Sequence, residues 1–336
     1  MPGQGPPPKA QTWALPELVG NQAARQYWLH ETPPRGQVWR KFCEQSSLGS
    51  AGDVWGVRMK TILVPTEHHF SMQSALDTAL LLAQKFGACI EGFALRPGVA
   101  DLVAMDPDSG LTMVAVKEND AEMVRQAEEL FRSFMEQHHV PPRTDGPTKL
   151  SCTWLESAPS GHDFVGSYGR VFDAIVLPRP GGEWQSPSMI TLESALFESG
   201  RPLLIAPPTP PRSLGTHIMI AWNRSTEQAR ATAFAMPLLR LAERITILTV
   251  EGSTVAGPSG EDLARSLAMN GLAADPITMP AGKAGAGDTI LKKAADLGCD
   301  LIVKGAYTQS RLRQLIFGGT TRHILAHADV PVLMAH

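Results

Sequence analysis

The sequence predicts an α/β protein built as two doubly wound units, each a five-stranded, mostly parallel sheet flanked by helices. Three observations predict it. Short apolar runs (ILV at 62–64, AIVL at 174–177, LLI at 203–205, LIV at 301–303) have the length of strands buried on both faces. Amphipathic stretches of helical length alternate with them, which favours parallel strands and right-handed crossovers. The plan then occurs twice. Ile62-Leu63-Val64 corresponds to Ile218-Met219-Ile220, and Phe172-Asp173-Ala174-Ile175 to Cys299-Asp300-Leu301-Ile302. Arg201-Pro202-Leu203-Leu204-Ile205-Ala206 corresponds to Val330-Pro331-Val332-Leu333-Met334-Ala335.

Composition agrees. The 336 residues exceed one typical domain and suit two. Charged residues make up 19 % and hydrophobic ones 43 %, an ordinary globular balance. A net charge of −3 gives no electrostatic basis for binding nucleic acid or an anionic membrane. No apolar run approaches the roughly 18–20 residues of a spanning helix and no basic-then-apolar leader opens the chain, so the expected location is cytoplasmic. Cys43, Cys89, Cys152 and Cys299 are scattered without a CxxC pair, as small core residues and not as a disulfide framework or metal site.

Taken in order, residues 1–58 stand apart. They hold seven prolines together with Trp13, Trp28, Trp39 and Trp55, and show neither helical nor strand periodicity. They read as a poorly ordered extension, the alternative being a tail that docks through its tryptophans; Met59, just before the first strand, is an alternative start. MKTILVPTE is the first strand. SMQSALDTALLLAQKF (71–86) is an amphipathic helix with Ser71 or Ser74 as N-cap and Gly87 as its stop. CIEGFAL is the second strand. ENDAEMVRQAEELFRSFMEQH (118–138) is a longer helix with Met123, Ala127, Leu130, Phe131 and Phe134 on one face. KLSCTWLE, FDAIVLPRP and RPLLIAPP are the remaining strands of the first unit, 59–206.

The Pro-rich stretch PPTPPRSLG (207–215) links to the second unit, 216–336. There HIMIAWN (217–223) is a strand, TEQARATAFAMPLLRLAE a helix, and Asp288 the expected cap of the helix DTILKKAADLG. Asp300–His336 closes the chain as strand, glycine-marked loop, helix from Thr320 to about His327, and strand. Gly305 ends the first of these strands, where doubly wound sheets place ligands.

This closing stretch resembles the nucleotide-binding segment of the universal stress protein family, whose pattern is Gly, two residues, Gly, nine residues, Gly, then Ser or Thr. Gly305 and Gly318 hold the first and third positions; Thr308 stands at the second glycine and Gly319 at the hydroxyl position, with Thr320 next. The resemblance covers 59–336 as a tandem of two Rossmann-like, adenine nucleotide alpha hydrolase-like repeats. It implies that Ala221, Trp222 and Asn223 end the strand contacting adenine and ribose, and that Val250 packs against adenine. It places Lys304, Gly305 and Thr308 at the phosphate loop and Gly318, Gly319 and Thr320 at the second phosphate contact. Physically, backbone N–H groups approach anionic oxygens closely there, and a helix N-terminus adds its dipole. Arg311 and Arg313 supply further positive charge. The implied ligand is ATP or AMP with Mg²⁺, although Asn223, in place of the family's Asp, brings no charge to a metal.

The first repeat lacks such a loop. LPRPGGEWQSPSMITLE carries Pro178, Pro180 and Pro187, which offer no N–H donors, and Glu67 replaces the strand-end Asp. It reads as the structural partner in an intramolecular pseudo-dimer, with RPLLIAPP and VPVLMAH meeting across the interface.

Other patterns assemble no site. His323 and His327 are i,i+4 but lack a third ligand, and His68-His69 and His138-His139 read as loop residues. GKAGAGDT (282–289) has the wrong order for a Walker loop, and Ser160 and Ser225 lack a nucleophile elbow. The reading is therefore a stress-response protein that binds unidentified protein partners, with adenine nucleotide as a regulatory ligand. It engages neither nucleic acid nor membrane, and a homodimer is compatible with it. One alternative is a nucleotide-free interaction scaffold. The other is a slow ATPase or nucleotidyl-transfer enzyme, which Asn223 and the missing general base weigh against.

Overall fold

The computed structural model describes residues 59–96, 98, 113–146, 149–180, 188–306 and 319–336. The extension 1–58, the stretch carrying Gly181, Gly182 and Pro187, and the stretch carrying Thr308, Arg311, Arg313 and Gly318 lie outside the described residues.

The first half runs β1 (Thr61–Thr66), α1 (Met72–Phe86), β2 (Cys89–Ala94), α2 (Met113–Gln137), β3 (Ser151–Leu155), α3 (Asp163–Gly169), β4 (Ala174–Pro178), α4 (Met189–Glu198) and β5 (Leu203–Ala206). The second runs β6 (His217–Ala221), α5 (Thr226–Leu239), β7 (Arg244–Glu251), α6 (Gly260–Met269), β8 (Asp275–Pro280), α7 (Ala286–Leu297), β9 (Leu301–Gly305), α8 (Gly319–His327) and β10 (Val332–Ala335). The strands form one ten-stranded sheet in the order β3-β2-β1-β4-β5-β10-β9-β6-β7-β8. Neighbours are parallel except β5 and β10, which pair antiparallel, so the two expected five-stranded sheets are halves of one sheet joined by their closing strands.

Each half is tied at the same place. The Asp173 carboxylate, just before β4, accepts the Lys60 and Thr61 amides at 2.6 and 3.0 Å. Its counterpart Asp300, just before β9, accepts the Thr216 and His217 amides at 3.0 and 2.9 Å. A carboxylate thus satisfies the two backbone donors that open the central strand, where no ladder partner exists.

The sheet is buried on both faces. One core cluster gathers Ile62, Val64, Leu204, Ile218, Ile220 and Leu333 beneath α1, α2, α5 and α6. The other gathers Leu63, Ile175, Ile205, Met219, Ile302 and Met334 beneath α3, α4, α7 and α8. This alternation is the period-2 signature of strands covered twice.

Some expectations are revised. Gly285 precedes α7 and Asp288 sits inside its first turn, paired with Lys292 at 2.9 Å, so Asp288 does not cap. Its charge favours the helix N-terminus all the same. Ser71 occupies the N-cap position of α1 without making the cap hydrogen bond. Strand β8 and helix α6 do not stand out in the sequence. Strand β8 is a mostly exposed edge strand containing Pro276 and Pro280, and α6 opens on a capping box of Ser259 and Asp262. Among the described residues no helix is long and apolar enough to cross a membrane.

Candidate functional site

Strand β6 lies between β7 and β9, and strand order reverses here: the chain leaves β6 toward one face of the sheet and β9 toward the other. Such a switch point opens a crevice at the carboxyl ends of the strands. The register of β6 with β9 ends at Ile220 and Val303. Beyond it, the fully buried Gln228 in the first turn of α5 takes over the ladder. Its Oε1 accepts the Gly305 amide at 2.7 Å and its Nε2 donates to the Val303 carbonyl at 3.3 Å.

Gly305 has a direct steric reason. A Cβ at this position would stand 2.3 Å from the Gln228 backbone nitrogen, so the missing side chain is what lets α5 rest on β9. Ser225 caps α5 by accepting the Gln228 amide at 3.1 Å, and the Asn223 side-chain oxygen accepts the Ser225 amide at 3.2 Å. Between them Arg224 adopts a left-handed backbone with φ of 69°. Nothing in the sequence marks Gln228, because a glutamine in a first helical turn is commonplace.

The candidate residues divide between the two faces. Trp222 packs in the cluster beneath α5 and α6, and its indole N–H donates to the Pro258 carbonyl at 2.9 Å. Ala221 and Val250 belong to the cluster beneath α7 and α8. Strand alternation puts Lys304 on that same face, paired in register with Met334. Lys304 is 6 % exposed; its ammonium donates to the Gly305 carbonyl at 2.9 Å, and among the described residues no carboxylate pairs with it. Burial pushes this amine down from 10.5 to about 8. Gly319, exposed, opens α8, and Thr320 follows half-buried. The structure thus gathers Ala221, Val250 and Lys304 on one face, with Asn223 at the mouth and Trp222 and Gly305 turned away. Thr308 and Gly318 lie outside the described residues.

The His323 and His327 rings lie 4.5 Å apart on α8, and among the described residues no group of three or more His, Cys, Asp or Glu could hold a metal ion. In the first half Leu177 and Pro178 occupy the places of Lys304 and Gly305, and the buried Met72 that of Gln228.

Residues 283–336, which hold α7, β9, α8 and β10, match the model of the universal stress protein family. The match is confined to this closing segment of the chain. No curated protein matches the chain. The fold is similar to a universal stress protein from Archaeoglobus fulgidus DSM 4304, at 16 % identity and a TM-score of 0.61, over 83 % of this chain and 99 % of that one. Similarity also extends to a universal stress protein from Lactobacillus plantarum, at 20 % identity and a TM-score of 0.28, over 37 % of this chain and 100 % of that one. A functionally unknown protein from Pseudomonas aeruginosa PAO1 matches at 14 % identity and a TM-score of 0.47, over 82 % of this chain and 92 % of that one. At 16 % identity the Archaeoglobus likeness shows the fold alone. The matched segment contains Lys304, Gly305, Gly319 and Thr320; Ala221, Trp222, Asn223 and Val250 precede it.

Proposed function

We propose that the chain is a tandem universal stress protein of the cytoplasm whose second repeat binds adenine nucleotide, ATP or AMP, as a regulatory ligand for partner binding. The observation that carries this reading is Lys304. A lone buried cation is costly unless an anion neutralises it, and this one, near the carboxyl end of β9, shares a sheet face with Ala221 and Val250. A phosphate group would supply the missing charge, and the apolar Ala221 and Val250 suit a purine face. The donor set fits an anion better than a metal: Asn223 is uncharged and its side-chain oxygen is already engaged, so Mg²⁺ would be held chiefly by phosphate oxygens. Regulation would follow from unequal affinity for two conformations of the chain.

Gly305 favours a second reading, the nucleotide-free scaffold, because packing of α5 accounts for that glycine without a ligand. One experiment separates them. The protein is purified without added nucleotide and denatured, and the released small molecules are resolved by reverse-phase chromatography with mass detection. Near-stoichiometric ATP or AMP supports the binding reading. No nucleotide, together with no heat on titration with ATP and Mg²⁺, leaves the scaffold.

A further inference from the structure

The first half, whose crevice lacks the lysine and glycine of the second, carries a different chemistry at the same place. Just past β1 the sequence EHHFS puts Glu67, His69 and Ser71 in line. The Ser71 hydroxyl oxygen lies 2.8 Å from His69 Nδ1, and the Glu67 carboxylate lies 3.6 Å from His69 Nε2. The ring tautomer is fixed by the backbone, because the Ser71 amide donates to Nδ1 at 3.2 Å. Nδ1 is therefore the unprotonated nitrogen, and a hydroxyl 2.8 Å away from it can only donate. Nε2 then carries the hydrogen, and the Glu67 carboxylate stands 3.6 Å from it, outside hydrogen-bond distance. This is a hydrogen-bonded Ser–His pair with a carboxylate near the second ring nitrogen, close enough to act on a charged imidazolium through space.

The serine is set aside for this contact. Ser188, Ser225 and Ser259 each cap their helices with the side chain. Ser71 stands at the same position of α1, with φ −83° and ψ −7°, and makes no cap bond. Two more polar atoms here are buried without a hydrogen-bond partner, His69 Nε2 and the hydroxyl of Ser74 one turn along α1. Ser71 is buried at 5 % exposure and the Glu67 and His69 side chains are 14 % and 13 % exposed, while His68 and Phe70 on either side of His69 are exposed, so the group lies beneath the surface.

We propose that Ser71 is an activated nucleophile for acyl transfer from small carboxylic esters. As Oγ attacks the ester carbonyl carbon, its proton passes to His69 Nδ1, and Glu67 stabilises the resulting imidazolium. The first-turn amides of Gln73 and Ser74, which helix geometry leaves without an intrahelical acceptor, offer donors to the developing oxyanion. The C–O bond to the leaving alcohol breaks and His69 returns the proton to that oxygen. Water, deprotonated by His69, then cleaves the acyl-serine, releasing the acid and restoring the hydroxyl. Ser71 and His69 are the catalytic residues, and Glu67 is a positioning residue.

The test uses the full chain, an alkyl fluorophosphonate as trapping reagent and p-nitrophenyl acetate as substrate. A single adduct is expected on Ser71 by peptide mass mapping, with fluoride released. Ser71→Ala abolishes it and His69→Gln slows it about 100-fold. Glu67→Gln lowers kcat about tenfold at unchanged KM, and Glu67→Asp restores most of the loss, a split that a merely structural role would not produce. Ser71→Ala removes no cap bond, and circular dichroism verifies that it stays folded. No adduct at Ser71, or ester hydrolysis unchanged in Ser71→Ala, overturns the proposal. The result is independent of nucleotide binding, which uses the other half of the chain.

Discussion

Leu204 stands directly opposite Leu333 across the antiparallel pair that joins the two halves of the sheet. Each is the other's counterpart in the repeated sequence, so a local two-fold axis passes between them. Leu203 accordingly opposes Met334 and Ile205 opposes Val332. Both leucines are buried beneath the same helical layer. The halves thus meet as the subunits of a symmetric dimer would, through one self-complementary edge that covers two otherwise open strands.

Truncation at this axis should be felt from both sides. Leu204→Ala and Leu333→Ala should each lower stability by about 3 kcal/mol in urea denaturation. The double variant should fall short of or exceed the sum by at least about 0.5 kcal/mol, because the residues share a cavity. Strict additivity would mean that the seam does not pack as described.

The glycines of the closing stretch should behave unequally. A Cβ at Gly305 meets the α5 backbone, whereas one at Gly319 meets nothing within 4 Å. Gly305→Ala should therefore cost about 2–3 kcal/mol through overpacking, and Gly319→Ala should leave stability within about 1 kcal/mol. A tolerated Gly305→Ala would remove the packing explanation and return this glycine to the ligand.

The paired aspartates offer a control on the repeat itself. Asp173→Ala and Asp300→Ala each leave two strand-opening amides without their carboxylate. Each should cost about 2–3 kcal/mol. Asn at either position, keeping one acceptor oxygen, should cost less. Unequal losses at the two sites would show that the ties are not equivalent.

The fold was legible because it is written in period and repetition. Runs such as LIV at 301–303 have one good reading in a doubly wound sheet, and the pairing of VPVLMA with RPLLIA anticipates the β5–β10 seam. Strand β8 was not legible: an exposed edge strand with two prolines carries little apolar signal. At the candidate site, spacing drew attention to Gly305 but not to the task the structure gives it, since the partner, Gln228, is 77 residues away in sequence. Lys304 was visible as a charge. Its burial was not, because lysine in a strand ordinarily marks a solvent-facing position. The Ser71–His69 pair escaped because adjacent histidines in a loop give no spacing signal, and only the backbone geometry turns His69 toward the serine.

Lys304 makes pH the most direct probe of the candidate site. In the folded chain its amine titrates near 8, against an ordinary 10.5. Between those values the unfolded chain holds a proton that the folded chain has lost, so stability should rise as pH increases through that window. Below it both states are protonated and the burial cost is felt in full, about 3 kcal/mol for a displacement of this size. Lys304→Met should flatten the profile and stabilise the protein at neutral pH. An anionic ligand against the amine would restore its proton. ATP binding at pH 9 should then take up protons, read as heats that differ between buffers of different ionisation enthalpy, and affinity should fall as pH climbs past 8. In Lys304→Met the uptake should vanish and affinity should drop. If the variant keeps both the wild-type pH profile and ATP affinity, Lys304 is neither the buried charge nor the phosphate partner.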